Sequence, residues 1–318
     1  MVKDLQEIAV SHGDRVAVIP AEHLKELKDI IEGFKEGEEL NDFQEWIVNE
    51  LYQFDIPETG FAVNSIILAA IHHPFYARAE FINAGVRKTF LSLVRSDFKA
   101  AESYIRDFLE AKGCHLAEAG KLPLKRLGVH SGLAKYGRNN VTYIEGMGSN
   151  FSYAAYFSDV CCEEDTWGEV KNAALCGSCN RCVENCPTGA IRKERFLIDN
   201  QKCLSYFNEG PGDFPVWIPE SIHHTLYDCL ICQHVCPMNS KQKDYVIGHM
   251  AFTEEETGML LEGKEIDALP EELMEKLFCL GMDEWYGAIP RNLKALFAQP
   301  PGAGIALLTG RSSEKSAF

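Results

Sequence analysis

The chain has 318 residues, 46% apolar and 25% charged, which is the balance of a globular protein with room for one large domain or two ordinary ones. Its longest unbroken apolar stretch, Ile66 to Ile71, is far short of the about 20 residues of a membrane span, and "MVKDLQEIAVSHGDR" puts charges where a secretory signal needs an apolar core. A cytoplasmic protein with no membrane partner is therefore expected. The net charge of −16, from 31 basic and 47 acidic residues, repels phosphate backbones and weighs against nucleic acid unless basic groups gather locally.

In chain order, "RVAVI" (Arg15 to Ile19) predicts a short buried strand. After Pro20, the spacing of Leu24, Leu27, Ile30, Ile31 and Phe34 predicts an amphipathic helix. The run "VNSIILAAI" (Val63 to Ile71) predicts a central strand covered on both faces. A second helix should turn Phe98, Ala101, Ile105 and Phe108 inward, and "FSYAAYFSDV" (Phe151 to Val160) predicts another strand. From about residue 170 to 240 the composition shifts to Cys, Gly, Pro and polar residues, which bury little apolar surface and lean on metal sites to stay folded. Short helices follow: one from Thr253 with a Glu256 capping box, one after Pro270 that ends at Gly281, and one after Pro290. The polar tail "TGRSSEKSAF" is expected to fray.

Twelve cysteines in a chain read as intracellular point to metal or redox chemistry rather than disulfides, and eight of them fall between Cys176 and Cys236. "LCGSCNRCVENCP" offers Cys176, Cys179 and Cys182 with two residues between each, then Cys186 and a proline. In two-cluster ferredoxins the fourth cysteine of such a run ligates the other cluster, so a second set should follow. It does: "CLICQHVCP" supplies Cys229, Cys232 and Cys236, again followed by a proline. The second half lacks a cysteine three residues before Cys229, and Cys203 in "FLIDNQKC" takes its place across an insertion, Leu204 to Asp228. Two [4Fe–4S] clusters are expected, one on Cys176, Cys179, Cys182 and Cys236, the other on Cys186, Cys203, Cys229 and Cys232. Two zinc–thiolate sites are the alternative, but they need neither the third cysteine of each run nor the Cys-Pro endings. Cys279 and the remaining Cys114, Cys161 and Cys162 read as buried core thiols, with the adjacent Cys161–Cys162 pair open to a redox role. The pairs His72–His73 and His223–His224 invite a metal reading, although adjacent strand residues face opposite ways.

The segment "HSGLAKYGRNNVTYIEGMGSNFSYAAYFSDV" (His130 to Val160), the cluster region with Cys203 followed by "LSYF", "CQHVCPMN" and the terminal "PRNLKALF" together resemble the epoxyqueuosine reductases, relatives of the reductive dehalogenases. The likeness runs over roughly residues 60 to 297 and is most specific from 130 to 240. It implies a cobalamin-dependent reductase whose clusters reduce a corrinoid in the N-terminal α/β domain. It also implies a proton-donating Asp upstream of this segment, at a position where this chain carries Glu118. Arg138, Asn139, Gly148 and Ser149 are the residues placed to contact a corrinoid. The chain departs from the pattern at Ala134, Lys135 and Arg138, and no Asp-x-His-x-x-Gly motif offers a lower cobalt ligand.

The resulting expectation is an α/β N-terminal domain (1–168), a ferredoxin-like double [4Fe–4S] cluster domain (169–242, insertion 204–228) and a short helical C-terminal segment (243–318). Electrons from a low-potential donor such as a ferredoxin or flavodoxin would pass through the clusters to a corrinoid and reduce a small organic molecule. tRNA is disfavoured as substrate by the net charge. The rival is a non-catalytic electron-transfer protein that uses its acidic surface to dock a basic redox partner.

Overall fold

The computed structural model describes residues 1–37, 40–73, 76–194, 196–241 and 246–299; the polar tail from Thr309 lies outside them. Helix α1 (Val2–Ser11) buries Leu5 and Ala9 and leads into strand β1 (Arg15–Pro20), the strand expected from "RVAVI". Helix α2 (His23–Gly37) buries Leu24, Leu27 and Ile31, while Ile30 and Phe34 at the edges of the predicted stripe are half-buried. Helix α3 (Asp42–Trp46) starts on a capping box between Asn41 and Gln44. Strand β2 (Ser65–His72) follows.

Next comes a hairpin that the hydrophobic pattern did not announce, β3 (Tyr76–Asn83) and β4 (Val86–Ser92). Ala84 and Gly85 both take left-handed φ, +48° and +73°, as a two-residue turn between right-twisted strands requires. Helix α4 (Phe98–Glu110), capped by Asp97, buries Ala101, Ile105 and Leu109. Phe98 is instead exposed and Phe108 only partly buried, because the helical period carries the inner face through Leu109. The chain continues through β5 (Leu116–Glu118), α5 (Leu124–His130), β6 (Lys135–Tyr136), β7 (Thr142–Tyr143) and β8 (Phe151–Ser158). Among its described residues the cysteine region carries the short helices α6 (Arg181–Glu184), α7 (Leu204–Glu209) and α8 (Ile231–His234). Strand β9 (Val246–Ala251) precedes α9 (Glu254–Glu262), α10 (Glu271–Cys279) and α11 (Ile289–Ala298).

These elements divide into two units, residues 1–73 with 96–179, and 74–95 with 180–318. The first is a three-layer α/β unit. Its antiparallel sheet runs β1-β2-β8-β5, and in central β2 every residue from Ser65 to Ile71 is buried. Alternation splits that strand between two cores. Ile67, Ala69 and Ile71 pack with Leu5 of α1 and Ile105 of α4, whereas Ile66 and Leu68 pack with Leu27 of α2 and Leu127 of α5. Each of those large side chains contributes about 1.5–3 kcal/mol on burial, which is why the strand carries no polar residue beyond Ser65 and His72.

In the second unit the sheet order is β4-β3-β9, with β3 and β9 parallel. Phe81 of β3 stacks on Phe252 at 4.4 Å over a core of Leu273, Leu277, Leu293 and Leu296. Thr253 and Glu256 form the predicted capping box of α9, and Lys276 of α10 donates to both oxygens of Glu256 at 2.7 and 2.8 Å. Cys279 is exposed, not in the core: Leu273, Leu277 and Leu280 occupy the inner face of α10 and the turn after it, and Cys279 falls two residues past Leu277. Cys161 is likewise exposed, and Cys114 and Cys162 are only partly buried. Among the described residues no helix is long and apolar enough to cross a membrane.

Candidate functional site

The cysteines of the second proposed set come from three separate stretches of the second unit: the end of the first run, the start of α7, and the approach to α8 with its first turn. Cys229 is buried, and burial pushes its thiol well up, with Cys232, Cys203 and Cys186 raising it further through their own charge. Burial also raises Cys203, to which Cys186 adds. Those four sulfurs therefore share one neighbourhood, and thiols that destabilise one another's charge are what a cationic iron–sulfur core neutralises. Helix α6, which carries Cys182, packs against α8.

The backbone around Cys229 is held in an unusual shape. Asp228 and Leu230 on either side both take left-handed φ, +56° and +60°, a conformation that costs a non-glycine residue about 1–2 kcal/mol. Bonds from the insertion hold it: Asn208 Nδ2 donates to the Asp228 carbonyl at 2.6 Å and Thr225 Oγ1 donates to it at 3.0 Å. Both ring nitrogens of buried His224 sit 2.7 Å from carbonyl oxygens, Nδ1 from Ile222 and Nε2 from Cys229. Burial lowers the pKa of His224 and brings that of His223 down to about 4, where the neighbouring His224 and Arg291 charges add to the effect. Glu209 and Asp228 face each other. Desolvation pushes both carboxyls up, Glu209 further because of the Asp228 charge, so the pair shares a proton. The "PRN" of the C-terminal helix closes the arrangement: Arg291 donates to the carbonyls of Phe207 and Gly212, and Asn292 Nδ2 donates to those of Asn208 and Leu226, both at 2.6 Å.

In the first unit Cys176 lies on a single helical turn, Ala174–Gly177. Arg138 reaches this turn: its Nη2 donates to the Cys176 carbonyl at 2.5 Å and its Nε to the Cys179 carbonyl at 3.2 Å. The other residues named for a corrinoid also face protein. Asn139 is buried and its Nδ2 donates to Tyr143 Oη at 2.9 Å, and Ser149 is buried. Gly148, at φ +63°, closes a turn in which it exchanges 2.9 Å bonds with Ile144. His72 faces out and His73 in, as strand alternation requires, and the His72 amide donates to Asp14 Oδ1 at 2.8 Å.

Glu118 is the last residue of edge strand β5, paired with Tyr156 of β8. It lines a cavity of about 630 Å³ in the first unit, together with Gln53, Glu102, Lys121, Tyr153 and Tyr156. Burial, aided by the Glu102 and Glu118 charges, pushes the Tyr156 phenol up to about 12, so it keeps its proton at neutral pH. Glu102 also forms a 2.6 Å ion pair with Arg106. Sequence reasoning singled out Glu118 alone. Tyr156 and Glu102 reach the cavity through strand pairing and a helix face, and neither belongs to a motif.

Residues 175–239 match the family model of a 4Fe-4S double cluster binding domain. Among curated proteins, the epoxyqueuosine reductase of Bacillus subtilis (strain 168) is 26% identical over 76% of this chain and 64% of its own length. That of Francisella cf. novicida (strain Fx1) is 28% identical over 43% of this chain and 41% of its own length. The chain thus spans less than two thirds of the length of the curated relatives it matches. A solved epoxyqueuosine reductase, in complex with an epoxyqueuosine-modified tRNA-Tyr stem loop, superposes with a TM-score of 0.63 at 20% identity, covering 96% of this chain and 81% of that one. By its cysteine domain the chain is a double-cluster iron–sulfur protein. More particularly, in sequence and fold it is a divergent relative of the epoxyqueuosine reductases.

Proposed function

We propose that the chain is an iron–sulfur reductase that delivers electrons to an organic substrate bound at the Glu118 cavity. The single observation that carries this reading is the convergence of Cys186, Cys203, Cys229 and Cys232 from distant parts of the sequence. The clusters would sit on those four and on Cys176, Cys179, Cys182 and Cys236, and when bound they supply single electrons at low potential. The eight thiols match them in number and softness, and a ferredoxin or flavodoxin is the donor class such clusters accept electrons from.

For an epoxide of the kind the relatives' name describes, removal of the oxygen takes two electrons and two protons and releases water. Glu118 would hand over a proton, and Tyr156, paired with it across the strands, keeps its own phenol proton at neutral pH. Gln53 and Lys121 would orient the bound molecule. A corrinoid as the intermediate acceptor is carried by the family resemblance. Arg138, Asn139, Gly148 and Ser149 do not offer it an open cradle, since Asn139, Gly148 and Ser149 are buried and Arg138 spends its guanidinium on the Cys176 and Cys179 carbonyls. An epoxyqueuosine-bearing RNA is the substrate that the tRNA-bound relative brings forward, against the repulsion expected from a net charge of −16.

The test is anaerobic reconstitution with iron and sulfide analysis, EPR in the presence of cob(II)alamin, and turnover of an epoxyqueuosine-modified stem loop. About eight irons per chain, turnover, and a drop of about 10²-fold or more in Glu118→Gln at unchanged iron content would support the proposal. Full iron with no turnover, and with cobalt spectra identical to free cobalamin, would leave an electron-transfer protein that serves a partner.

A further inference from the structure

Arg138 lies two residues past strand β6, and its side chain spans the carbonyls of two cysteines. The backbone brings it to the cysteine turn by a chain of bonds: Tyr136 N donates to the Lys171 carbonyl at 3.0 Å, Ala173 N to the Tyr136 carbonyl at 2.8 Å, and Cys176 N to the Ala173 carbonyl at 2.9 Å. Strand β6 therefore fixes the start of the ligand turn, and Arg138, two residues past Tyr136, fixes the rest with two donors of one planar group. A lysine ammonium is a point charge on a flexible stem, whereas the guanidinium fork binds two acceptors at once and stays charged at any accessible pH.

We propose that Arg138 is a positioning residue for the Cys176–Cys179 turn, and that its fixed charge makes the cluster held there the higher-potential one of the two. The inference rests on the two-cluster reading above. One-electron reduction makes a thiolate-ligated cluster more negative, so a permanent cation bonded to the carbonyls of two of its ligand residues favours the reduced state. The other set sits in the opposite environment. Cys229 is buried among Leu204, Ile218, Leu230 and Ile231, where low polarity penalises the added charge. An electron entering the pair would therefore come to rest at the Cys176 side.

The test is an EPR-monitored redox titration of anaerobically prepared holoprotein, in the unaltered chain, Arg138→Gln and Arg138→Lys. Cys176→Ser, which replaces one sulfur ligand by oxygen, marks which signal belongs to the first cluster. The expected result is that the marked cluster has the higher midpoint, and that Arg138→Gln weakens its reduction at least tenfold, about 59 mV for a one-electron couple, without moving the other. Arg138→Lys should recover most of that shift. Loss of about half the iron by Arg138→Gln, restored only in part by Arg138→Lys, would support the positioning role. Unmoved midpoints in Arg138→Gln, a shift confined to the unmarked cluster, or a marked cluster that is the lower of the two would overturn the proposal. Fewer than about eight irons in the unaltered chain would instead overturn the two-cluster reading, and the assignment to Arg138 with it.

Discussion

Replacing Asn292 with leucine should unseat the insertion that presents Cys229. The Asn292 side chain is 2% exposed and both protons of its amide are spent, on the carbonyls of Asn208 and Leu226 at 2.6 Å each. Leucine has nearly the same volume, so the change creates little cavity and isolates the polar loss. Two buried acceptors deprived of a donor cost about 1–3 kcal/mol each, and the apolar gain of the leucine offsets part of this, leaving about 2–4 kcal/mol. The loss should fall where the chain is already strained, because Asn208 in turn holds the Asp228 carbonyl beside left-handed Asp228 and Leu230. Urea unfolding of the apoprotein measures the energy, and iron content after anaerobic reconstitution measures the consequence, with the Cys229 cluster the one depleted. A stability change below about 1 kcal/mol together with full iron would refute the view that α11 braces this set of ligands.

His223 should make the protein labile in acid. Its folded pKa of about 4 lies below the 6.5 of an unfolded histidine, so the unfolded chain binds the extra proton first. Its contribution is fully present above about pH 6.5 and is lost as pH falls from there towards 4, and His223→Phe should flatten that part of a melting-temperature-against-pH curve. In α5, a methyl group on Gly128 would lie 2.4 Å from Tyr153 Oη. Gly128→Ala should cost about 1–3 kcal/mol in thermal unfolding, and Tyr153→Phe in the same chain should restore part of it; a single variant that melts like the parent would contradict the packing.

Much of the first unit was legible because hydrophobic period and burial agree there. Strand β2 reads as fully buried from Ile66 to Ile71, and α2 shows its stripe in Leu24, Leu27 and Ile31. The Thr253–Glu256 box marked the start of α9 because capping is local chemistry, written within four residues. The β3–β4 hairpin escaped notice because its turn pairs an alanine with a glycine at positive φ, in place of the asparagine or aspartate that usually announces such a turn. Cys279 was misplaced because cysteine sits easily in cores, while the face of α10 is decided by Leu273 and Leu277. At the candidate site, cysteine spacing announced the ligands, since thiolate geometry constrains spacing directly. The acceptors chosen by Arg138 and Asn292 were invisible, because a carbonyl 40 or 80 residues away leaves no mark on the donor's neighbours.

The pairing of β3 with β9 sets a timetable for synthesis. Strand β3 occupies the middle of its sheet, yet its parallel neighbour begins at Val246, long after the hairpin has left the ribosome. At about 5–20 residues per second, the hairpin spends roughly 10–30 s with one side of β3 unpaired. During that interval the first unit's last strand, β8, can already be translated and its sheet closed, while Phe81 still lacks Phe252 to stack on. An open strand edge is a template for other chains. Slow translation or a truncation before Val246 should therefore lead to aggregation through residues 76–92, whether or not iron is supplied.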